Sequence, residues 1–133
     1  MSALKIRAAA FISLACAADY SAKKGYLVTH DGATATVSAS ATVRAKGVIV
    51  EANAGVDYTK EKVTVALLGS TEGTVPMCAG GVIAAGDWVQ QDSDGQILTD
   101  AGTGGRVIVG QALESAVAGD IIEVAPIAPL PLS

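Results

Sequence analysis

Apolar and polar side chains alternate in short runs along most of this chain, and glycine, aspartate and serine separate the runs. Alternation with a period of two puts successive side chains on opposite faces of an extended backbone, so the pattern predicts strands rather than helices. Residues 25–39, Gly-Tyr-Leu-Val-Thr-His-Asp-Gly-Ala-Thr-Ala-Thr-Val-Ser-Ala, hold two such runs. Asp31-Gly32 between them tolerates positive φ, which predicts a tight hairpin turn. Further strands are predicted over Gly47–Glu51, Lys62–Leu68, Asp87–Gln91, Gln96–Thr99, Arg106–Gln111 and Asp120–Ala125. Strands this closely spaced predict an all-β fold, a small single-domain β-barrel or β-sandwich.

The two halves of the pattern echo one another. Gly25 precedes Val28 as Gly86 precedes Val89, and Val-Ile-Val occurs at Val48–Val50 and again at Val107–Val109. Fifteen residues separate Val48 from the start of Val-Thr-Val-Ala at Val63, and fifteen separate Val107 from Ile-Glu-Val-Ala at Ile122. A duplicated β-module would leave this trace, each copy supplying a hairpin and two further strands that cannot bury their apolar faces alone. Two copies closing on each other would make one compact barrel. Chance likeness between Val- and Gly-rich strands is the alternative.

The opening segment is ambiguous, because Ala8, Ala9 and Ala10 favour a helix while Ile6, Ala8, Ala10, Ile12 and Leu14 line one face of a strand. A strand or arm over residues 1–18 is the preferred reading, with Ile6, Ala8, Ala10, Ile12 and Leu14 offered to a partner. Lys5 and Arg7 before an apolar run that ends in Ala-Cys-Ala also imitate an export signal. The fit is weak. Only Phe11, Ile12 and Leu14 are strongly hydrophobic, and Ser13 stands where a lipoprotein signal wants a large aliphatic residue. The expectation is an uncleaved working segment, leading into a body over residues 19–125.

The last residues, 126–133, read as a tail, since Pro126, Pro129 and Pro131 remove backbone donors and favour an extended path. Ile127, Leu130 and Leu132 on that tail need cover, either from a neighbouring surface or from the chain's own barrel.

Composition narrows the picture. Half the 133 residues are hydrophobic but only 4% are aromatic, so alanine, valine and 15 glycines favour thin layers over a deep pocket. The length fits one domain. A net charge of -4 with scattered lysines and arginines gives no footprint for nucleic acid. No apolar run approaches the roughly 18 residues of a membrane-spanning helix, so a soluble chain is expected. Cys16 and Cys78 read as small buried thiols rather than as a disulfide framework.

Candidate chemistry is sparse. His30 is the only histidine, and beside the Asp31-Gly32 turn it reads as an exposed polar residue rather than a base. Gln90–Gln96 imitates a calcium loop through Asp92, Asp94 and Gly95, but Gln90 and Ala101 stand where the first and closing carboxylates belong, which favours a turn. The glycine-rich Asp100–Arg106 lacks the Gly-Lys-Ser/Thr ending of a phosphate loop and reads as a connection. Trp88, the only tryptophan, fits either an exposed anchor or the one large core residue. No catalytic, metal or cofactor site is predicted.

From Gly80 onward the sequence resembles the head decoration, or capsid cement, proteins of tailed bacteriophages. The likeness rests on Ala85–Asp87 leading into a strand, the Asp94-Gly95 turn, the Val-Gly-Gln-Ala-Leu-Glu segment at Val109–Glu114 and the Ala118–Asp120 strand lead-in. It covers about the last 45 residues, and Ala17–Val28 more loosely. The resemblance implies a β-tulip-like structural protein, often a homotrimer, that is made in the host cytoplasm and binds the major capsid protein on the outer surface of the virion through extended terminal arms. On that reading Ile6, Ala8, Ala10, Ile12, Leu14, Trp88, Ile127, Leu130 and Leu132 are the candidate capsid or subunit contacts. The competing expectation is an exported β-domain that binds carbohydrate or a cell surface, carrying a Cys16–Cys78 disulfide.

Overall fold

The computed structural model describes residues 11–71 and 73–133. The fold is all-β, as expected, and the described residues contain no α-helix. Strands β1 (Phe11–Cys16), β2 (Leu27–His30), β3 (Thr34–Val37), β4 (Gly47–Glu51) and β5 (Lys62–Leu67) close into a barrel in the order β1-β3-β2-β4-β5. Closure comes from β1, which runs antiparallel to β5 along its length and parallel to β3 at Ala15 and Cys16. Alternate side chains fill the interior: Leu14, Cys16, Val28, Ala35, Ile49, Val63 and Val65.

The second half forms β6 (Val75–Cys78), β7 (Trp88–Gln91), β8 (Ile97–Thr99), β9 (Arg106–Ala112) and β10 (Ile121–Leu132), in the order β6-β10-β9-β7-β8. This sheet curls until a parallel bridge between Ala79 and Ile97 joins its two edges. Taken strand for strand, the second half repeats the first. Each half therefore curls on itself, whereas the sequence pattern predicts one barrel shared between two copies.

The repeat extends to individual hydrogen bonds. Gly25 N donates to Ile49 O at 2.8 Å and Gly86 N donates to Ala112 O at 2.8 Å, while Ile49 N and Ala112 N return bonds to Tyr26 O and Asp87 O. Gly47, Val48 and Ile49 pair with Leu67, Ala66 and Val65, as Gly110, Gln111 and Ala112 pair with Pro126, Ala125 and Val124. The equivalent of Gly47 is thus Gly110, and the two Val-Ile-Val runs are out of step by four residues. The Gly25/Gly86 and Val63/Ile122 equivalences hold, but the matching fifteen-residue spacing reflects chance.

The halves share one core. Leu27, Val48, Ala66 and Leu68, which point out of the first barrel, join Met77, Ala79, Val89, Ile97, Ala112, Ile122 and Val124 from inside the second sheet in a single cluster. Backbone bonds cross the junction from Cys78 N to Gly25 O and from Leu27 N to Gly95 O. The buried Gln91 side chain crosses as well, accepting from Ala45 N and donating to Ser40 O and Val43 O. A buried amide satisfied on both sides fixes the relative placement of the halves.

Three expectations need correction. Ile12 and Leu14 are not offered to a partner: they pair with β5 and turn into the first barrel, so at least Phe11–Cys16 belongs to the body instead of an arm. Ile6, Ala8 and Ala10 lie outside the described residues. Residues 126–133 are no free tail, because β10 continues through Leu132 and pairs with β9 at Leu130–Ile108 and Leu132–Arg106 after a register shift beyond Pro126. Nor is the first hairpin a two-residue turn. Its register pairs His30 with Ala35, and the Asp31 carboxylate closes the longer loop by accepting from Ala33 N and Thr34 N.

Candidate interaction surface

The motifs that imitate chemistry resolve into loop structure. Asp92 Oδ1 accepts from Asp94 N and Gln96 N, so its carboxylate closes a turn, and no cluster of three or more potential metal ligands occurs among the described residues. His30 Nδ1 accepts from Gly32 N beside the hairpin loop. Cys16 and Cys78 are buried free thiols, without the disulfide of the exported alternative. Burial, with Glu61 and Asp19 nearby, pushes the Cys16 thiol up from its ordinary value.

The Ala-Gly-Asp segments form two copies of one turn. Asp87 N donates to Ala84 O and Asp120 N to Val117 O, each at 3.1 Å, and the two glycines adopt φ of +93° and +91°. Positive φ at this position is what glycine supplies without strain. Asp87 Oδ2 and Asp120 Oδ2 then accept from Ala84 N and Val117 N at 3.0 Å. A bridge between Ile83 and Ala116 holds the turns side by side. Val82 and Val117 stand exposed around a shallow groove there, a feature that hydrophobic patterning does not single out.

Four of the sequence candidates meet on the other side of the second sheet. Trp88 on β7 and Ile127, Leu130 and Leu132 on β10 line a cleft of roughly 280 Å³ together with Ile108 on β9 and Asp100. Trp88 is 49% exposed, Leu130 48% and Leu132 37%, so the tryptophan is a surface residue. The cleft exists because β9 separates β7 from β10: Trp88 pairs with Gln111, Gln111 with Ala125, and Leu130 with Ile108. Its one charge is neutralised. Asp100 accepts from Gly102 N and from Arg106 Nε, and these bonds, the first the larger, hold its carboxyl below the usual range. Sequence reasoning misses Ile108 and Asp100 as cleft residues. Their place depends on which strands pair, which local alternation does not encode.

No family model matches the chain, and comparison with curated proteins finds no match.

Proposed function

We propose that this protein is a structural component of a tailed-bacteriophage virion, binding the major capsid protein on the outer surface of the head and cementing the shell. The observation that carries the reading is the paired Ala-Gly-Asp turn. The segments on which the resemblance rests, Ala85–Asp87 and Ala118–Asp120, are one structural unit with matched bonds and a bridge between them. The compact all-β body with exposed apolar residues at Trp88, Leu130 and Val82 supports a docking role over a catalytic one.

The energetic logic is linkage. A ligand that binds the expanded shell and not its separated subunits stabilises the shell by mass action. Each contact can be modest, because a standard interface buries about 800 Å² per partner and a homotrimer touching several subunits gains from effective concentration. The test is thermal or osmotic rupture of heads with and without the protein. A higher rupture threshold at saturating occupancy is expected; equal thresholds overturn the cementing role.

A further inference from the structure

The two halves differ where the paired turns meet. Cys16 bridges Ala35 as Ala79 bridges Ile97, so Asp19 and Tyr20 in the first half answer to Val82 and Ile83 in the second. Tyr20 and Ile83 are both buried, but the residue before each meets different surroundings. The connection from Ile49 to Val63 is four residues longer than the one from Ala112 to Ile122, and the longer loop packs against Asp19. Asn53 Nδ2 donates to Asp19 Oδ1 at 3.1 Å, Asn53 Oδ1 accepts from Tyr20 N, and a Cβ on Gly55 would stand 2.9 Å from Ser21 Cβ. In the second half the backbones of Ile83 and Ala116 bond directly, and the shorter loop leaves Val82 80% and Val117 58% exposed around the groove.

The surroundings of this groove carry one sign of charge. Asp120 lines it, Asp87 closes the other turn, and Glu114 precedes Ser115 on its wall. Asp87 and Asp120 each use Oδ2 on a turn amide, and Oδ1 of neither accepts a hydrogen bond among the described residues. Residues 73–133 hold seven aspartates and glutamates against one cation, Arg106, which Asp100 binds at the Trp88 cleft. Residues 11–71 hold five against six, so the acidic excess belongs to the half that carries the open groove.

We propose that the groove between the paired turns docks a cationic segment of a partner protein, with an aliphatic side chain between Val82 and Val117 and a lysine or arginine beside Asp120 and Glu114. Resting on the reading above, that segment belongs to the major capsid protein. Charge complementarity selects the occupant, because an acidic segment would meet like charge around the groove. Apolar contact supplies affinity there, and the carboxylates set the sign and approach of the partner.

Two probes separate the chemistry of the groove from the identity of the partner. The first is a synthetic hexapeptide of alternating leucine and lysine, titrated into the isotope-labelled full chain, with a leucine–glutamate peptide as its counterpart. Amide shifts at Ile83–Ala85 and Ala116–Asp120 are expected with the lysine peptide alone. They should fade as salt shortens the Debye length from about 10 Å at 0.1 M to about 3 Å at 1 M. The second probe is co-sedimentation with expanded heads that lack the protein. Val82→Lys is expected to weaken both interactions about tenfold or more with an unchanged far-ultraviolet spectrum. Asp120→Asn keeps an oxygen for Val117 N, removes the charge and should flatten the salt dependence. Val56→Lys, at a residue 91% exposed on the first half, is expected to bind as the parent does. Equal shifts with the glutamate peptide, or none at the groove with the lysine peptide, overturn the proposal. Val82→Lys binding heads with parental affinity overturns the groove as the capsid contact and leaves the cementing role on another face. Lysine-peptide shifts at the groove without any head binding by the parent uphold the groove's chemistry and overturn the capsid protein as partner, and the cementing role with it.

Discussion

Gly47 and Gly110 occupy positions where the backbone of the neighbouring strand comes too close for a side chain. A Cβ on Gly110 would stand 2.5 Å from Ala125 O and 2.6 Å from Val124 Cγ1, and one on Gly47 would meet Val65 Cγ1 at 2.4 Å. The carbonyl at Ala125 is backbone and cannot rotate aside, so an alanine must push β9 away from β10. Gly110→Ala is expected to cost about 1–3 kcal/mol, as overpacking does, and to lower the urea midpoint. Gly105→Ala is the matched control, since its nearest neighbour is Thr42 Cγ2 at 3.8 Å, and it should stay within about 0.5 kcal/mol. Equal midpoints for the two variants would remove close approach as the reason for glycine. These residues also show why the repeat is only half legible in the sequence. The turn glycines Gly25 and Gly86 sit at fixed distances from their valines and stand out, whereas two strand glycines among 15 carry no local signature. The more conspicuous Val-Ile-Val runs are out of register.

At the scale of elements, alternation locates the strands that have one polar and one apolar face, and it fails at two strands that carry proline. It misses β6 because Pro76 sits inside a four-residue strand, a place tolerated at the margin of a sheet where one set of donors is unused. The second half of β10 reads as a tail for the same reason. Its prolines remain compatible with pairing because β10 beyond Val124 has β9 on one side and no further pairing to β6 on the other. Ile108, only 5% exposed, sits against Ile127 and Leu130 in the cleft. A chain ending at Ala125 should therefore expose Ile108 and strip partners from Arg106–Ile108. Loss of cover on one large aliphatic residue alone is worth about 1.5–3 kcal/mol. The truncated chain is expected to unfold at lower denaturant with its other strands retained by circular dichroism. An unchanged midpoint would mean that residues 126–133 contribute nothing to the body.

The whole molecule joins a closed barrel to a curled sheet, and the packing between them decides whether two similar modules behave as one. Sequence patterning shows which residues point together within a strand, but not that the outward row of the first barrel fills the inside of the second sheet. That row reads as an ordinary apolar strand face until the partner is known. The consequence is cooperative unfolding. Ile49 lies inside the first barrel, outside the shared cluster, and Ile49→Ala is expected to cost about 2–5 kcal/mol. Trp88 fluorescence reports the second half, whereas far-ultraviolet circular dichroism reports both. At fixed protein concentration, the two signals should follow one transition, and Ile49→Ala should move both midpoints by the same amount. The cross-junction bonds of Gly25, Leu27 and Gln91 couple the halves in addition to the apolar cluster, so a lesion in one barrel destabilises the packing surface that the other needs. A Trp88 transition that stays in place while the circular dichroism splits would show two independently stable modules, with the junction acting as a contact between domains and not as their common core.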